Sequence, residues 1–369
     1  MSEFVCPGNI DCGSQVMGLA FHPHEPVCVA SVITGEVYVY KYTESGEAFT
    51  TLTGHVDSCR DVKFTSSGEY LFTGSKDKKI CCYDKEMKLS WAKEESHANA
   101  INVLYSFPHD EKLLASADEE GNLKLWDIRS NDRKEISSTK DNQDFISNMT
   151  YFEPKNRLIT VGGDGFLGAY DLRKSGLKLE KLSDQQEDEL LSIAVVKNGR
   201  KVVVGTQEGI IDIWSWGEWE DMSDRFPGHP KSVDCILKVD EDTICTGSSD
   251  GIIRFVSIFP NKLLGMAGDH DGFPIESMQF SHDRNLIGTS SHDSIVRFFD
   301  VSYLNEPDSD EEEGELNAKA EDSVTNETTS NTVATASNAS NILSNTTRPK
   351  KKMKAATKKE ATQDFFSDL

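Results

Sequence analysis

The stretch LKLWDIRS, residues 123–130, holds the only Trp-Asp dipeptide in this 369-residue chain. It follows a run of small and apolar residues (LLASA, 113–117) and a polar turn (DEEGN, 118–122). Alternation of apolar and polar residues in LKLW indicates a strand with one buried side. A polar turn between two such segments indicates an antiparallel pair of strands.

The same order of strand, polar turn and strand recurs along the whole chain. The intervals between successive equivalents of Trp126 are 43, 43, 44, 44, 42 and 43 residues. A further alternating segment precedes each pair and another follows it, and four short strands in about 40–45 residues are typical of a propeller blade. The sequence therefore predicts an all-β fold, a seven-bladed β-propeller. The other copies place these residues at the position of Trp126: Tyr40, Tyr83, Tyr170, Trp214, Val256 and Phe299.

The seventh copy lacks a clear outer strand, because only VSYLNEP (301–307) follows it before the composition becomes acidic. Closing a sheet array into a ring protects strand edges that would otherwise invite aggregation. We therefore predict that the N-terminal segment around Glu3–Ile10 supplies the missing strand of blade seven. The predicted domains are a propeller over residues 1–304 and a disordered tail over residues 305–369.

Histidines precede the first strand of several blades, and aspartates lie in or just before the turn to the third strand. Buried polar side chains need hydrogen-bond partners, so we expect the two residue types to pair within each blade. They recur once per blade rather than converge on one site, which favours a structural role over a catalytic or metal-binding one. Only blade three adds a tryptophan whose indole N–H extends the network. The predicted structural network comprises His55, Asp77, His97, Asp118, Trp126, His229, Asp250, His270 and Asp293.

The chain is strongly acidic, with 62 acidic and 39 basic residues and a net charge of −23. The tail holds 13 acidic and 8 basic residues, which leaves residues 1–304 with a net charge of −18. A body of this charge repels phosphate, so broad nucleic-acid binding by the propeller is not expected. Basic partner proteins and RNA contacts made only by the tail stay open.

Motifs of catalysis and metal binding are missing from the sequence. It contains no GxxxxGK[ST], HExxH or GxSxG pattern and no CxxC pair. We therefore expect no catalytic residue, no cofactor and no metal, and we interpret the cysteines as buried free thiols. Neither a signal peptide nor a run of about 20 apolar residues is recognisable, so we expect no export and no membrane contact.

The tail changes composition twice. Between residues 323 and 347, 17 of 25 residues are Ser, Thr or Asn, and a segment so poor in apolar residues is expected to be disordered. Ser309 directly precedes four acidic residues, which makes it a candidate for phosphorylation by an acid-directed kinase.

Two short motifs follow in the tail. The basic cluster Arg348, Lys350, Lys351, Lys352 and Lys354 is either a nuclear-import signal with a weak contact to ribosomal RNA or a solvated charge run. Phe365 and Phe366, set among acids, are either a short docking motif or incidental.

The repeats resemble those of WD-repeat β-propellers over residues 1–304. A narrower resemblance, to the WD repeat-containing protein 55 family and its fungal members, rests on six segments. It implies a nuclear, mainly nucleolar protein needed for ribosomal RNA production and ribosome assembly. We expect the chain to act as a monomeric scaffold within a complex, with pre-ribosomal proteins as its partners. The segments are SKDK (75–78), GDGFLG (163–168), SDRF (223–226), SVDC (232–235), CTGSSDGIIR (245–254) and QDFF (363–366).

An arginine follows the aspartate by two residues in two consecutive blades, as WDIR (126–129) and YDLR (170–173). The pattern resembles the WDxR boxes of substrate receptors for cullin-4 ubiquitin ligases, although the second copy has tyrosine for tryptophan. The resemblance implies contact with the ligase adaptor through Asp127, Arg129, Asp171 and Arg173. The alternative is that each arginine pairs locally with its aspartate, as surface ion pairs commonly do with little effect on stability.

Overall fold

Twenty-eight strands form seven four-stranded antiparallel sheets in the structure, a computed structural model that describes residues 6–43, 47–130, 134–173 and 176–305. Each sheet is one blade, and the predicted seven-bladed all-β propeller is confirmed. Within the described residues the only helical elements are the 3-10 turns Glu153–Lys155 and Ser302–Asn305. None of the described helices is long and apolar enough to span a membrane.

Blades one to three are formed by consecutive strands of the chain. Their strands are β2 (Val16–Phe21), β3 (Val27–Val32), β4 (Val37–Lys41), β5 (Thr50–Leu52), β6 (Cys59–Phe64), β7 (Tyr70–Ser75), β8 (Ile80–Asp84), β9 (Leu89–Lys93), β10 (Ile101–Ser106), β11 (Leu113–Asp118), β12 (Leu123–Asp127) and β13 (Glu135–Thr139). In each blade the strands pair in chain order, from the inner to the outer strand.

Blades four to six repeat this arrangement. Their strands are β14 (Ile146–Phe152), β15 (Arg157–Gly162), β16 (Leu167–Asp171), β17 (Lys178–Leu182), β18 (Leu190–Val196), β19 (Lys201–Thr206), β20 (Ile210–Ser215), β21 (Asp224–Pro227), β22 (Val233–Lys238), β23 (Thr243–Ser248), β24 (Ile252–Ser257) and β25 (Lys262–Asp269).

Blade seven joins the two ends of the ring. It contains β26 (Ile275–Phe280), β27 (Leu286–Ser291), β28 (Ile295–Asp300) and, as its outer strand, β1 (Ile10–Asp11). Ile10 lies opposite Val296 in this pairing. The N-terminal segment thus supplies the outer strand, through residues at the end of the predicted stretch.

The core of the ring lies between neighbouring blades. Trp126 is 1% exposed and packs against Phe72 and Ile80 of blade two, and Trp214, fully buried, packs against Ile159 of blade four. Burial of apolar surface stabilises by about 25 cal/mol per Å², so these large side chains hold adjacent blades together. Both tryptophans therefore face the preceding blade.

The ring has two faces, built from different loops. One face carries the turns between first and second strands and between third and fourth strands; we call it the arginine face, because Arg129 and Arg173 lie there. The opposite face carries the turns between second and third strands and the connections between blades. We call it the histidine face, because His97 and its counterparts lie in those connections.

Candidate partner-binding faces

Blade three contains a complete buried polar network at the histidine face. His97 contacts Asp118 through Nδ1 (3.1 Å) and Ser116 Oγ through Nε2 (2.6 Å), and the Trp126 indole donates to Ser116 Oγ (2.8 Å). Donors and acceptors balance when neutral His97 carries its proton on Nδ1. Burial lowers the pKa of His97 despite the neighbouring carboxylate, which agrees with the neutral form.

Asp118 is itself held by several donors. It accepts hydrogen bonds from the Asn122 backbone (2.9 Å) and side chain, as well as from His97. Burial alone raises the pKa of Asp118, but these hydrogen bonds outweigh it and the pKa lies below its usual range. The carboxylate therefore ties the turn after β11 to the connection that enters blade three.

Blades two and seven contain the same network without tryptophan. In blade two, His55 contacts Asp77 (3.1 Å) and Thr73 Oγ1 (2.7 Å). In blade seven, His270 contacts Asp293 (3.1 Å) and Thr289 Oγ1 (2.6 Å). The histidine side chains are fully buried in both pairs, so these groups stabilise the fold and offer no solvent-facing reactive site.

In blade six the expected pair does not form, and the prediction for His229 and Asp250 is wrong. Asp250 instead binds the Arg254 guanidinium (3.0 Å), and His229 keeps only its contact to Thr246 (2.8 Å). Burial, aided by the nearby Arg254 charge, lowers the pKa of His229 to about 4. The histidine is therefore neutral and its Nδ1 has no partner among the described residues.

The reason for this difference is visible in blade seven, which also has an arginine at the position of Arg254. There Arg297 is shared between Asp293 (3.0 Å) and Asp271 (2.8 Å), so Asp293 can also serve His270. In blade six the residue after the histidine is Pro230, which has no carboxylate to take up the arginine.

Blade four replaces the histidine by Asn142, which donates its side-chain amide to Asp164 at 3.1 and 3.2 Å. The shorter side chain does not complete the network, and its Oδ1 has no partner among the described residues. Blade four therefore keeps the aspartate contact and loses the rest.

Blade five lacks the network altogether. Val204 stands where blade three has Ser116, and Gln186 stands where it has His97 but turns its amide to the Asp184 carbonyl (2.9 Å). The Trp214 indole N–H is consequently without a partner among the described residues. Asp212 lies two residues before Trp214, on the same side of β20, and is 1% exposed. Only its Oδ1 accepts a hydrogen bond, from Arg225 (2.9 Å).

Arg129, on the arginine face, pairs locally. Its Nε donates to both Asp127 oxygens (2.8 and 3.0 Å) and its Nη2 donates to Asp110 (2.9 Å). The hydrogen bonds to Asp127 raise the pKa of the guanidinium and lower that of the carboxyl. The side chain nevertheless stays 55% exposed, so it is available to a partner.

Arg173 repeats the contact one blade later with different surroundings. Its Nε lies 3.0 Å from both oxygens of Asp171, and Arg157 Nη1 lies 3.2 Å from the same carboxylate. Hydrogen bonds from Arg173 hold the pKa of Asp171 well below its usual range. Blade three thus shares one guanidinium between two carboxylates, whereas blade four shares one carboxylate between two guanidinium groups.

Two cavities flank Arg129. One, of about 230 Å³, lies between blades three and four and is lined by apolar residues that include Leu125 and Leu172, with Ile136 43% exposed at its edge. The other, of about 290 Å³, lies between blades two and three beside Trp91. An exposed arginine between two concave patches is a combination that partner proteins commonly use.

The family model described as WDR55 matches residues 7–304. The chain is similar to WD repeat-containing protein 55 of Arabidopsis thaliana, with 37% identity over 85% of this chain and 88% of that protein. It is 35% identical to the protein of the same name from Homo sapiens, over 81% of this chain and 77% of the relative. WD repeat-containing protein JIP5 of Cryptococcus neoformans is 34% identical to this chain, over 79% of this chain and 81% of the relative.

The chain belongs to the WD repeat-containing protein 55 family. In this family member, the described residues contain no group of three or more His, Cys, Asp or Glu side chains that could hold a metal ion. Every cysteine that the structure describes is a free thiol, and only Cys6 is exposed. Burial raises the pKa of Cys28 and Cys245, so these thiols behave as small apolar side chains.

Several predicted sites of this WD repeat-containing protein 55 family member lie outside the described residues. They stay predictions: the phosphorylation candidate Ser309, the basic cluster Arg348, Lys350, Lys351, Lys352 and Lys354, and the aromatic pair Phe365 and Phe366.

Sequence reasoning missed the residues that share the two arginine sites. Asp110 comes from the turn before β11, and Arg157 is the first residue of β15, so neither is near its partner in sequence. The signal available was weak: one charged residue at or just before the start of the second strand of each blade. The competition at Asp250 could have been suspected, because an arginine four residues after the aspartate lies on the neighbouring strand.

Proposed function

We propose that this protein is a non-enzymatic nucleolar scaffold in ribosome biogenesis, acting in ribosomal RNA production and pre-ribosome assembly through protein–protein contacts. The observation that carries the proposal is the match of the whole propeller, residues 7–304, to the WDR55 family model. The nucleolar role comes from the family resemblance, and the mode of action comes from the fold.

The loops of the ring are suited to display. Ser96 N donates to the Lys78 carbonyl (2.8 Å), and Lys76 N donates to the Ser58 carbonyl (2.9 Å). The turn between the second and third strands of blade two is therefore held by the connections that enter and leave this blade. Loops that are already ordered lose little conformational entropy on binding, which favours affinity for partners.

The proposal is tested by replacing the chromosomal copy with a tagged, degradable one. We expect nucleolar signal, co-purification of pre-ribosomal proteins and accumulation of unprocessed ribosomal RNA within one division after depletion. Normal processing after complete depletion, or a tagged protein that purifies without pre-ribosomal proteins, would contradict it.

Nuclear entry is proposed to depend on the basic cluster of the tail. A fluorescent reporter fused to residues 340–369 is expected to enter the nucleus, whereas the same fusion with Lys350, Lys351, Lys352 and Lys354 changed to Gln is expected to stay cytoplasmic. Equal distribution of the two reporters would remove the cluster from the import mechanism.

A second candidate function is that of substrate receptor for a cullin-4 ubiquitin ligase. It is favoured by the exposed guanidinium groups of Arg129 and Arg173 on one face of adjacent blades. We expect Arg129→Ala with Arg173→Ala to abolish capture of the ligase adaptor. The matched control is Arg200→Ala with Arg284→Ala, two exposed arginines on the same face of blades five and seven. Unchanged capture by the first variant would exclude this function.

A further inference from the structure

The acidic charge of the propeller is concentrated in four loops on the histidine face of blades four and five. We call these loops, 140–145, 163–166, 183–189 and 207–209, the acidic arc. They contain a single lysine, Lys140, and eight acidic residues: Asp141, Asp144, Asp164, Asp184, Glu187, Asp188, Glu189 and Glu208. The corresponding loops of blade two, 53–58 and 76–79, contain two acidic residues and three lysines. The corresponding loops of blade three, 94–100 and 119–122, contain four acidic residues, but three of these pair with a lysine or arginine: Glu94 with Lys79, Glu119 with Arg60 and Glu120 with Lys140.

Hydrogen bonds join the four loops into one continuous surface. Gln143 N donates to Asp164 (2.8 Å), and Gln186 N donates to the Gly165 carbonyl (2.9 Å). Glu208 N donates to Asp188 (2.8 Å). The arrangement of carboxylates is thus set by the backbone before any partner binds.

The carboxylates of the arc lack cationic partners within the protein. Among the described residues, none of the eight forms an ion pair with a lysine or arginine, and Lys140 turns to Glu120 instead (3.3 Å). Like charges gathered on one surface repel one another, and a bound cation relieves that repulsion.

A second observation comes from the buried side chain beneath the arc. Asp212 is 1% exposed, on the side of β20 that faces blade four, and its Oδ2 has no hydrogen-bond partner among the described residues. Burial raises its pKa, Arg225 opposes this, and the charge of Asp188 in the arc raises it further. Blades three, six and seven have Lys124, Arg254 and Arg297 at this position. Blade five has reversed the charge where the arc is densest.

We propose that the acidic arc is a docking surface for an extended arginine- and lysine-rich protein segment, with Asp212 as the buried acceptor below it. Cationic side chains of the bound segment would lie along the eight carboxylates. One arginine of that segment would extend its guanidinium inward, beside Arg225, and donate a hydrogen bond to Asp212 Oδ2. RNA is disfavoured on this surface, because its phosphates meet the same carboxylates.

This docking surface extends the scaffold function proposed above. It rests on that function only insofar as both depend on binding to other proteins. Its test uses purified full-length protein and a synthetic peptide, so it succeeds or fails independently of nucleolar localisation.

The probe is a labelled ten-residue peptide of alternating arginine and serine, titrated into the full chain at low and at physiological salt. The test variant is Glu187→Gln, Glu189→Gln and Glu208→Gln, three exposed residues of the arc. Its matched control is Glu25→Gln, Glu47→Gln and Glu69→Gln, three exposed glutamates on the arginine face. We expect the test variant to weaken peptide binding about tenfold or more and the control to weaken it less than about twofold. Salt screens charges that are far from the bound peptide, so only the glutamates of the arc should contribute strongly.

Asp212→Asn provides the second arm. We expect this variant to bind the peptide more weakly. Its melting temperature should be unchanged or higher, because the substitution removes a buried carboxylate that lacks a full set of hydrogen-bond partners. Binding that is equal in both glutamine variants, unaffected by Asp212→Asn, or stronger for a ten-nucleotide RNA than for the peptide would overturn the proposal.

Discussion

Blades three and five differ sharply although each has a buried tryptophan at the same position. Trp126 and Trp214 both face the preceding blade and are 1% and 0% exposed. In blade three the indole N–H joins Ser116, His97 and Asp118 in one network, whereas in blade five it has no partner among the described residues.

The difference separates two roles of the repeat. The indole ring of the tryptophan is buried in both blades. The aromatic residue at this position therefore serves to pack one blade against the next. The polar network is an additional device that fixes the histidine-face loops, and blade five folds without it. Loss of the histidine leaves the loop 183–189 free to carry four acidic residues, and leaves Asp212 without a full set of partners. Blade five thus combines the loss of the network with a histidine-face loop rich in carboxylates.

The largest effect is expected from Asp118→Ala. It removes the acceptor of His97 and of Asn122 in a fully buried position, so we expect a loss of about 3–5 kcal/mol in the free energy of unfolding. Urea denaturation measures it. Glu208→Ala, in the equivalent turn of blade five, is exposed and should change stability by less than about 0.5 kcal/mol. Similar losses in both variants would mean that the network does not distinguish the two blades.

Blade six lies between these extremes and predicts a pH effect. The pKa of His229 is about 4 in the folded protein, below its usual value, so the unfolded chain takes up a proton first as the pH falls. The contribution of His229 to the free energy of unfolding is fully present above about pH 6.5. It decreases by about 3 kcal/mol as the pH falls to about 4.

His229→Gln is therefore expected to lose about 3 kcal/mol less than the native chain between pH 7.5 and pH 4, measured by urea denaturation at each pH. It should still be less stable at pH 7.5, since the contact to Thr246 is altered. His24→Gln, an exposed residue on the arginine face, should retain the native pH dependence. Parallel curves for the native chain and His229→Gln would show that the histidine is not held neutral.

An exchange between blades three and five sharpens the comparison at a smaller scale. Ser116→Val would leave both Trp126 Nε1 and His97 Nε2 without a partner, which should cost about 2 kcal/mol or more. Val204→Ser would place a hydroxyl beside Trp214 Nε1, and the new hydrogen bond should offset the lost apolar burial to within about 1 kcal/mol. Thermal and urea unfolding of the two variants decide it. Equal costs would indicate that only the change in volume matters.

Sequence alone determined the fold in considerable detail, because the signal is local and repeated. The even spacing from Tyr40 to Phe299 required seven equivalent units, and the missing outer strand of the seventh required a donor elsewhere in the chain. Ile10–Asp11 is that strand. Repetition corrects local ambiguity, since a weak strand such as Thr50–Leu52 is recognised by its place in the repeat.

The polar partners were predicted less completely. His97 and Asp118 meet as expected, but His229 lost its aspartate to Arg254 because Pro230 gives that arginine no alternative. The outcome depends on three side chains from different loops, and no single repeat reveals it. The acidic arc was not predicted either, because strands separate its four loops in the sequence and the loops join into one surface only in the folded chain.

The smallest effect is expected at the other end of blade three. Arg129→Ala removes contacts to Asp127 and Asp110 on a surface where the side chain is 55% exposed, and solvent screens such pairs. We expect a loss of about 1 kcal/mol or less in urea denaturation, against the much larger loss at Asp118 in the same blade. Arg200→Ala serves as the control for a change of one surface charge. A loss above about 2 kcal/mol would make Arg129 part of the architecture, whereas a small loss would leave its exposed guanidinium to be explained by a partner.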